Sequence, residues 1–147
     1  MAHTYISSHF HAIFSTKNRQ RLLTPELRKS LSPYLGGIAR RYDFKVIESG
    51  GVDDHLHTLI SLPATMDVAR AMQLLKGGSS KWIRATHKDF SWQTGYAAFA
   101  TSTSLLDKTL DYIRKQEQHH KKLDFKTEYI RFLKANNIEY DPRYVFD

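Results

Sequence analysis

The stretch Asp53-Asp54-His55-Leu56-His57-Thr58-Leu59-Ile60-Ser61-Leu62-Pro63 (DDHLHTLISLP) has the alternation of a β-strand. Side chains two apart on a strand share a face, so His55 and His57 project together while Leu56, Ile60 and Leu62 face the opposite layer. Two imidazoles on one face offer two nitrogen ligands to one metal ion. Alone, such a pair is more often a polar patch on a solvent-facing sheet. Here Asp53 and Asp54 precede it, and a carboxylate that accepts a ring N–H orients the imidazole for a metal.

Upstream, residues 5–15 alternate, with Phe10, Ala12 and Phe14 on one side and His9, His11 and Ile13 on the other. Thr24-Pro25-Glu26 is a helix start, with a capping hydroxyl, a proline at the first position and an acid at the positive dipole end. Leu31, Leu35, Ile38 and Ala39 carry this helix to about residue 42, weakened at Gly36-Gly37. Residues 44–49 read as a second strand. Gly50-Gly51 and Asp53-Asp54 supply the turn of a hairpin with the histidine strand. After Pro63, Thr65-Met66-Asp67 opens a helix with Val68, Ala71, Met72 and Leu75 at helical spacing. Gly77-Gly78 is expected to interrupt it, with helix resuming over residues 81–87. Residues 95–101 read as a fourth strand around Tyr96 and Phe99.

Strand, helix, strand, strand, helix, strand is the order of the ferredoxin-like split βαβ arrangement, an α+β fold with an antiparallel sheet and helices on one face. In that arrangement the first and third strands are neighbours. His9, His11, His55 and His57 are then expected together on an open sheet face, opposite the buried Phe10, Ala12, Phe14, Leu56, Ile60 and Leu62. Ser104 with Asp107 resembles a capping box opening a third helix to about residue 121. A further helix at 126–135 and an acidic, aromatic tail complete the chain.

The 147 residues suit one domain with a sizeable core, being 41% hydrophobic. Lys and Arg number 22 against 15 Asp and Glu, a formal charge of +7 that favours a polyanionic partner. Without cysteine, disulfides and thiolate metal sites are excluded, and a reducing cytosol is compatible. The N-terminus lacks a signal-peptide pattern and no apolar run approaches the ~20 residues of a membrane span, so a soluble, cytoplasmic protein with no membrane partner is expected.

The other chemical feature is LDYIRKQEQHH, residues 110–120. Leu106, Leu110 and Ile113 form its apolar stripe, and Tyr112 lies well off that stripe at ~100° per residue. Gln116 follows one turn later on the tyrosine's face, and His119 and His120 extend it. A phenol of pKa ~10 is a poor nucleophile unless its electrophile is polarised, which a divalent ion accomplishes. Held by His55, His57 and Gln116, such an ion would position a phosphodiester for attack by Tyr112. Magnesium or manganese suits these ligands, and zinc would also bind them.

The chain resembles, over nearly its whole length, the HUH single-tyrosine transposases of insertion sequences that move as single-stranded DNA. The matching segments are HAIFSTKNRQRLL (11–23), DHLHTLISLP (54–63), LKGGSSKWIR (75–84) and DYIRKQEQHHKK (111–122), with an ending, NNIEYDPRYVFD, in the same style. The resemblance implies a single HUH domain over 1–147, with His55 and His57 as metal ligands and Gln116 completing the site. It further implies Tyr112 as the nucleophile of a 5′-phosphotyrosine intermediate. It implies a homodimer with composite sites, and recognition of hairpins in single-stranded DNA at element ends. Lys17, Arg19, Arg21, Arg40, Arg41, Lys76, Lys81 and Arg84 are candidate DNA contacts by charge and position. His9 has no role in this scheme, and His119 or His120 is an alternative to Gln116. The glycines of LKGGSSKWIR suggest a flexible join.

Alternative readings are a domesticated nuclease of repetitive extragenic palindromes, a hydrolase without covalent capture, and a nucleic-acid-binding module. The last needs aromatics on exposed central strands, where this sequence offers histidines.

Overall fold

A computed structural model describes residues 3–146; Asp147, the end of the tail, lies outside them. The four-stranded antiparallel sheet has the order β2-β3-β1-β4, with β1 at His9–Ser15, β2 at Lys45–Gly51, β3 at His55–Ser61 and β4 at Ala97–Ala100. The helices are α1 (Pro25–Arg41), α2 (Val68–Arg84), α3 (Leu106–Arg114), α4 (Gln116–His119) and α5 (Phe125–Ala135). This is the expected α+β ferredoxin-like arrangement, and the histidine strand does neighbour β1, with Ile13 opposite His57 and Ser15 opposite His55.

Helices begin where side chains satisfy their free N–H groups. Thr24 accepts from the Leu27 amide at the start of α1, Asp67 from Arg70 at α2, and Asp124 from Thr127 at α5. The expected Ser104 capping box does not form: the Ser104 hydroxyl meets that of Ser102, and a 3-10 turn at Thr103–Leu105 leads into α3. Nor does one helix run to residue 121. It breaks at Lys115, whose φ of −101° and ψ of 22° leave helical space, and α4 restarts at Gln116.

Two glycine pairs behave differently from expectation. Gly77-Gly78 does not interrupt α2. A Cβ on Gly78 would lie 2.8 Å from Ile38 Cδ1, so the bare residue lets α1 and α2 approach. The Trp92 indole N–H donates to Ser79 Oγ on the same turn, so LKGGSSKWIR is a packed helix rather than a loose join. Gly50 and Gly51 lie inside β2, and the turn is made by the next three residues. A Cβ on Gly50 would lie 2.5 Å from the Ile113 carbonyl, which is how the tyrosine helix comes to rest on the sheet.

The sheet is covered on both faces. Phe14, Leu56, Ile60 and Leu62 face α1 and α2 in the main core, as the alternation requires. The opposite face is not open. Ile13, Ala97 and Phe99 pack there against Phe125, Tyr129 and Leu133 of α5, leaving His11, His55 and His57 buried.

Candidate active site

Strand alternation places His11 of β1 and His55 and His57 of β3 on the covered face, where α3, α4 and α5 close over them. The ring orientations are set from behind. Asp54 Oδ1 accepts from His55 Nδ1 at 2.7 Å, and His57 Nδ1 lies 2.7 Å from His11 Nε2. Both Nε2 atoms therefore aim at one point between sheet and helices. His9, only partly buried, sits near Ser7 and does not join them.

Glu128 of α5 occupies that point. Its Oε1 lies 2.9 Å from His57 Nε2, 3.0 Å from His120 Nε2 and 3.3 Å from His55 Nε2. Its Oε2 accepts from the Tyr112 hydroxyl and from Gln116 Nε2, the latter at 3.3 Å. Gln116 Oε1 is 3.2 Å from His55 Nε2. His119 instead stacks on the Tyr112 ring, centroids 4.4 Å apart. Tyr112 and the histidines of the same chain are thus already together, with the rings of His57 and Tyr112 5.7 Å apart. No buried side-chain nitrogen or oxygen among the described residues lacks a partner.

The electrostatics follow from burial and from the carboxylates. Burial pushes His57 down to about 4 against the opposing pull of Glu128. It pushes His11 down to about 3, with His57 adding to the effect. Burial also acts downward on His55, but hydrogen bonds to Asp54 and Glu128 outweigh it and raise the pKa. For Glu128 burial acts upward, and hydrogen bonds from His120, His55 and His57 hold the carboxyl below the usual range nonetheless. Tyr112 is raised by burial and by Glu128. The carboxylates call for positive charge at their centre, which a proton or a metal ion supplies.

The donors fit a divalent ion. His55, His57, His120 and Glu128 each present a ligand atom within 4.8 Å of the others, in the imidazole and carboxylate chemistry that such ions accept. The Gln116 carbonyl oxygen faces the same space. Beside Tyr112 a cleft of about 350 Å³, lined by His119, Glu128, Arg131 and Phe132, opens to solvent.

The profile of the family described as "Transposase IS200 like" matches residues 4–116. The chain belongs to this family. Transposases for insertion sequence element IS200 from Salmonella typhimurium strain LT2 and Salmonella typhi are 26% identical to it over 129 residues, covering 82% of this chain and 84% of theirs. The fold is shared with a solved transposase candidate of Deinococcus radiodurans, at 20% identity and a TM-score of 0.63 over 79% of this chain and 96% of that one. It is also shared with a REP-associated tyrosine transposase bound to a REP hairpin, at 18% identity and a TM-score of 0.62 over 82% and 73%. This IS200-like transposase has no helix among its described residues that is long and apolar enough to cross a membrane.

Of the basic residues, Lys17, Arg21, Arg40, Arg41, Lys81 and Arg84 are exposed. Arg19 lies over the Phe146 ring. Lys76 donates to the carbonyls of Gln93, Thr94 and Gly95 at 2.7, 3.2 and 2.8 Å, which occupies its ammonium within the fold. A binding module presenting an exposed sheet does not fit, since α3 to α5 cover the face such a module would use.

Sequence reasoning passed over Glu128. A signal for Glu128 was present: Phe125, Glu128, Tyr129, Phe132 and Leu133 share one helical stripe, and an acid within an apolar stripe needs a buried partner.

Proposed function

We propose that this transposase cleaves and rejoins single-stranded DNA at element ends through Tyr112, forming a 5′-phosphotyrosine link, with residues 1–147 acting as one HUH domain. The observation that carries the reading is the convergence of the Tyr112 hydroxyl and the Nε2 atoms of His55 and His57 on one carboxylate. Magnesium or manganese would be held by His55, His57 and Gln116 and would supply Lewis acidity toward the phosphodiester. Tyr112 Oη attacks phosphorus as its proton passes to Glu128 Oε2, the bond to the 3′-oxygen breaks, and that oxygen takes up a proton from water and leaves as a hydroxyl. Glu128 Oε2, which already accepts the phenol hydrogen bond, orients the nucleophile. Because the tyrosine ester conserves the diester bond, a 3′-hydroxyl can reverse the attack and reseal strands without ATP.

The cleft beside Tyr112 suits the scissile phosphate, with Arg131 as its cation. Lys17, Arg19, Arg21, Arg40, Arg41, Lys81 and Arg84 are assigned to the flanking DNA and its hairpin, consistent with the +7 charge. The protein acts in the cytoplasm as a homodimer, which light scattering on a sizing column would check.

The deciding experiment is a denaturing gel of protein mixed with labelled single-stranded DNA from the flanks of its own gene, with manganese or magnesium. A metal-dependent protein–DNA band that disappears in Tyr112→Phe is expected. Cleavage without that band would replace the transesterase with a hydrolase, and a band surviving in the variant would remove Tyr112 from its role.

A further inference from the structure

The family profile ends at Gln116, yet two donors at the centre of the site, His120 and Glu128, come after it. Both are held by the C-terminal segment, and Glu128 is almost wholly buried, an expensive position for a carboxylate unless a cation accompanies it.

The ring contacts show where positive charge is needed. An uncharged imidazole has one ring proton. Asp54 can only accept, so the proton of an uncharged His55 sits on Nδ1 and its Nε2 carries a lone pair. That lone pair faces two further acceptors, Gln116 Oε1 at 3.2 Å and Glu128 Oε1 at 3.3 Å. Three lone pairs directed at one point repel unless positive charge lies between them. His57 Nε2 meets the same Glu128 oxygen at 2.9 Å, and in the tautomer whose Nδ1–H donates to His11 Nε2 it too presents a lone pair there. His120 Nε2 approaches the same oxygen. Three ring nitrogens thus converge within 3.3 Å on one carboxylate oxygen, as ligands around a shared cation do.

We propose that His120 and Glu128 are two further ligands of the divalent ion, so that the bound ion joins β3 to α5. The inference rests on the reading that His55 and His57 hold such an ion. With the Gln116 carbonyl oxygen, three imidazoles and a carboxylate form a borderline donor set, which favours zinc or manganese over magnesium, an ion that prefers oxygen ligands and retained water. The arrangement also divides the carboxylate between two tasks. Oε1 faces the ion while Oε2 holds the Tyr112 hydroxyl, so the ion fixes the position of the nucleophile through one side chain.

Zinc-edge X-ray absorption on the full wild-type chain loaded with zinc counts imidazoles directly. Three per ion are expected, and two would overturn the proposal. Calorimetric titration with MnCl2 and ZnCl2 is then compared across His120→Ala, Glu128→Gln and His57→Ala, each checked for native circular dichroism. His120→Ala and Glu128→Gln should each weaken binding by about tenfold or more, since even residues behind the ligands contribute that much. Wild-type affinity in both, with binding lost in His57→Ala, would remove the C-terminal ligands and leave the His55/His57 site standing. Unchanged affinity in His57→Ala would overturn the metal site itself. Hydrogen exchange gives a readout apart from affinity: amides of α5 should gain protection when manganese is added, and no gain would refute the link between β3 and α5.

Discussion

Under α1 and α2 the sheet presents Phe14, Leu56 and Ile60 to an apolar core, whereas one residue along the same strands Ile13, His55 and His57 face α3 to α5 around a carboxylate. Both faces are buried, by different physics. The first gains from removing apolar area from water, roughly 25 cal/mol per Å², and depends on shape and volume. The second buries polar groups whose desolvation is offset only while every partner is present. One face is tolerant and sets the fold; the other is interdependent and gathers the titratable groups.

Truncation on the apolar side should have the largest effect on stability. Phe14→Ala removes a fully buried ring and is expected to cost about 3–5 kcal/mol in urea unfolding, equally with and without metal. A metal-dependent loss would mean that the faces are not independent. Manganese should act on the other face alone. At a hundredfold excess over its dissociation constant it should stabilise the wild type by about 2.7 kcal/mol, an increment that chelation removes and His57→Ala lacks.

Gly50→Ala tests the seat of the tyrosine helix. With its Cβ 2.5 Å from the Ile113 carbonyl, the backbone of α3 or β2 must shift. A loss of about 1–3 kcal/mol is expected, together with reduced protein–DNA adduct. Acid should also discriminate between the faces. His57 and His11 bind protons less readily folded, at about 4 and about 3, than at their ordinary 6.5. Stability without metal therefore falls as pH drops from about 6.5 toward 4. The raised His55 opposes this trend only in part, so a net loss of stability is expected by pH 5. His11→Gln should flatten the slope, and a slope unchanged in that variant would assign the acid sensitivity elsewhere. Gly78→Ala should matter least. The contact it makes is with the terminal methyl of Ile38, and a helix-propensity gain of about 1 kcal/mol offsets the crowding, so a change below about 1 kcal/mol is expected.

Much of this was legible in the chain itself. Alternation in residues 55–62 and 10–14 determined which side chains share a face, because a strand's period of two admits no other assignment. Thr24-Pro25-Glu26 and Asp67 marked helix starts through local capping, and four motifs in order marked the family. What tertiary structure alone decided was whether the histidine face was open, and what stood opposite it. Glu128 lies 71 residues from His57 along the chain, and nothing local links them. The glycines at 50 and 78 read as turn and break by local rule, since propensity carries no information about a carbonyl or a methyl group arriving from another element. Sequence determines faces and caps because these are short-range; the carboxylate that gathers His55, His57, His120 and Tyr112 depends on α5 folding back over the sheet, a long-range packing event.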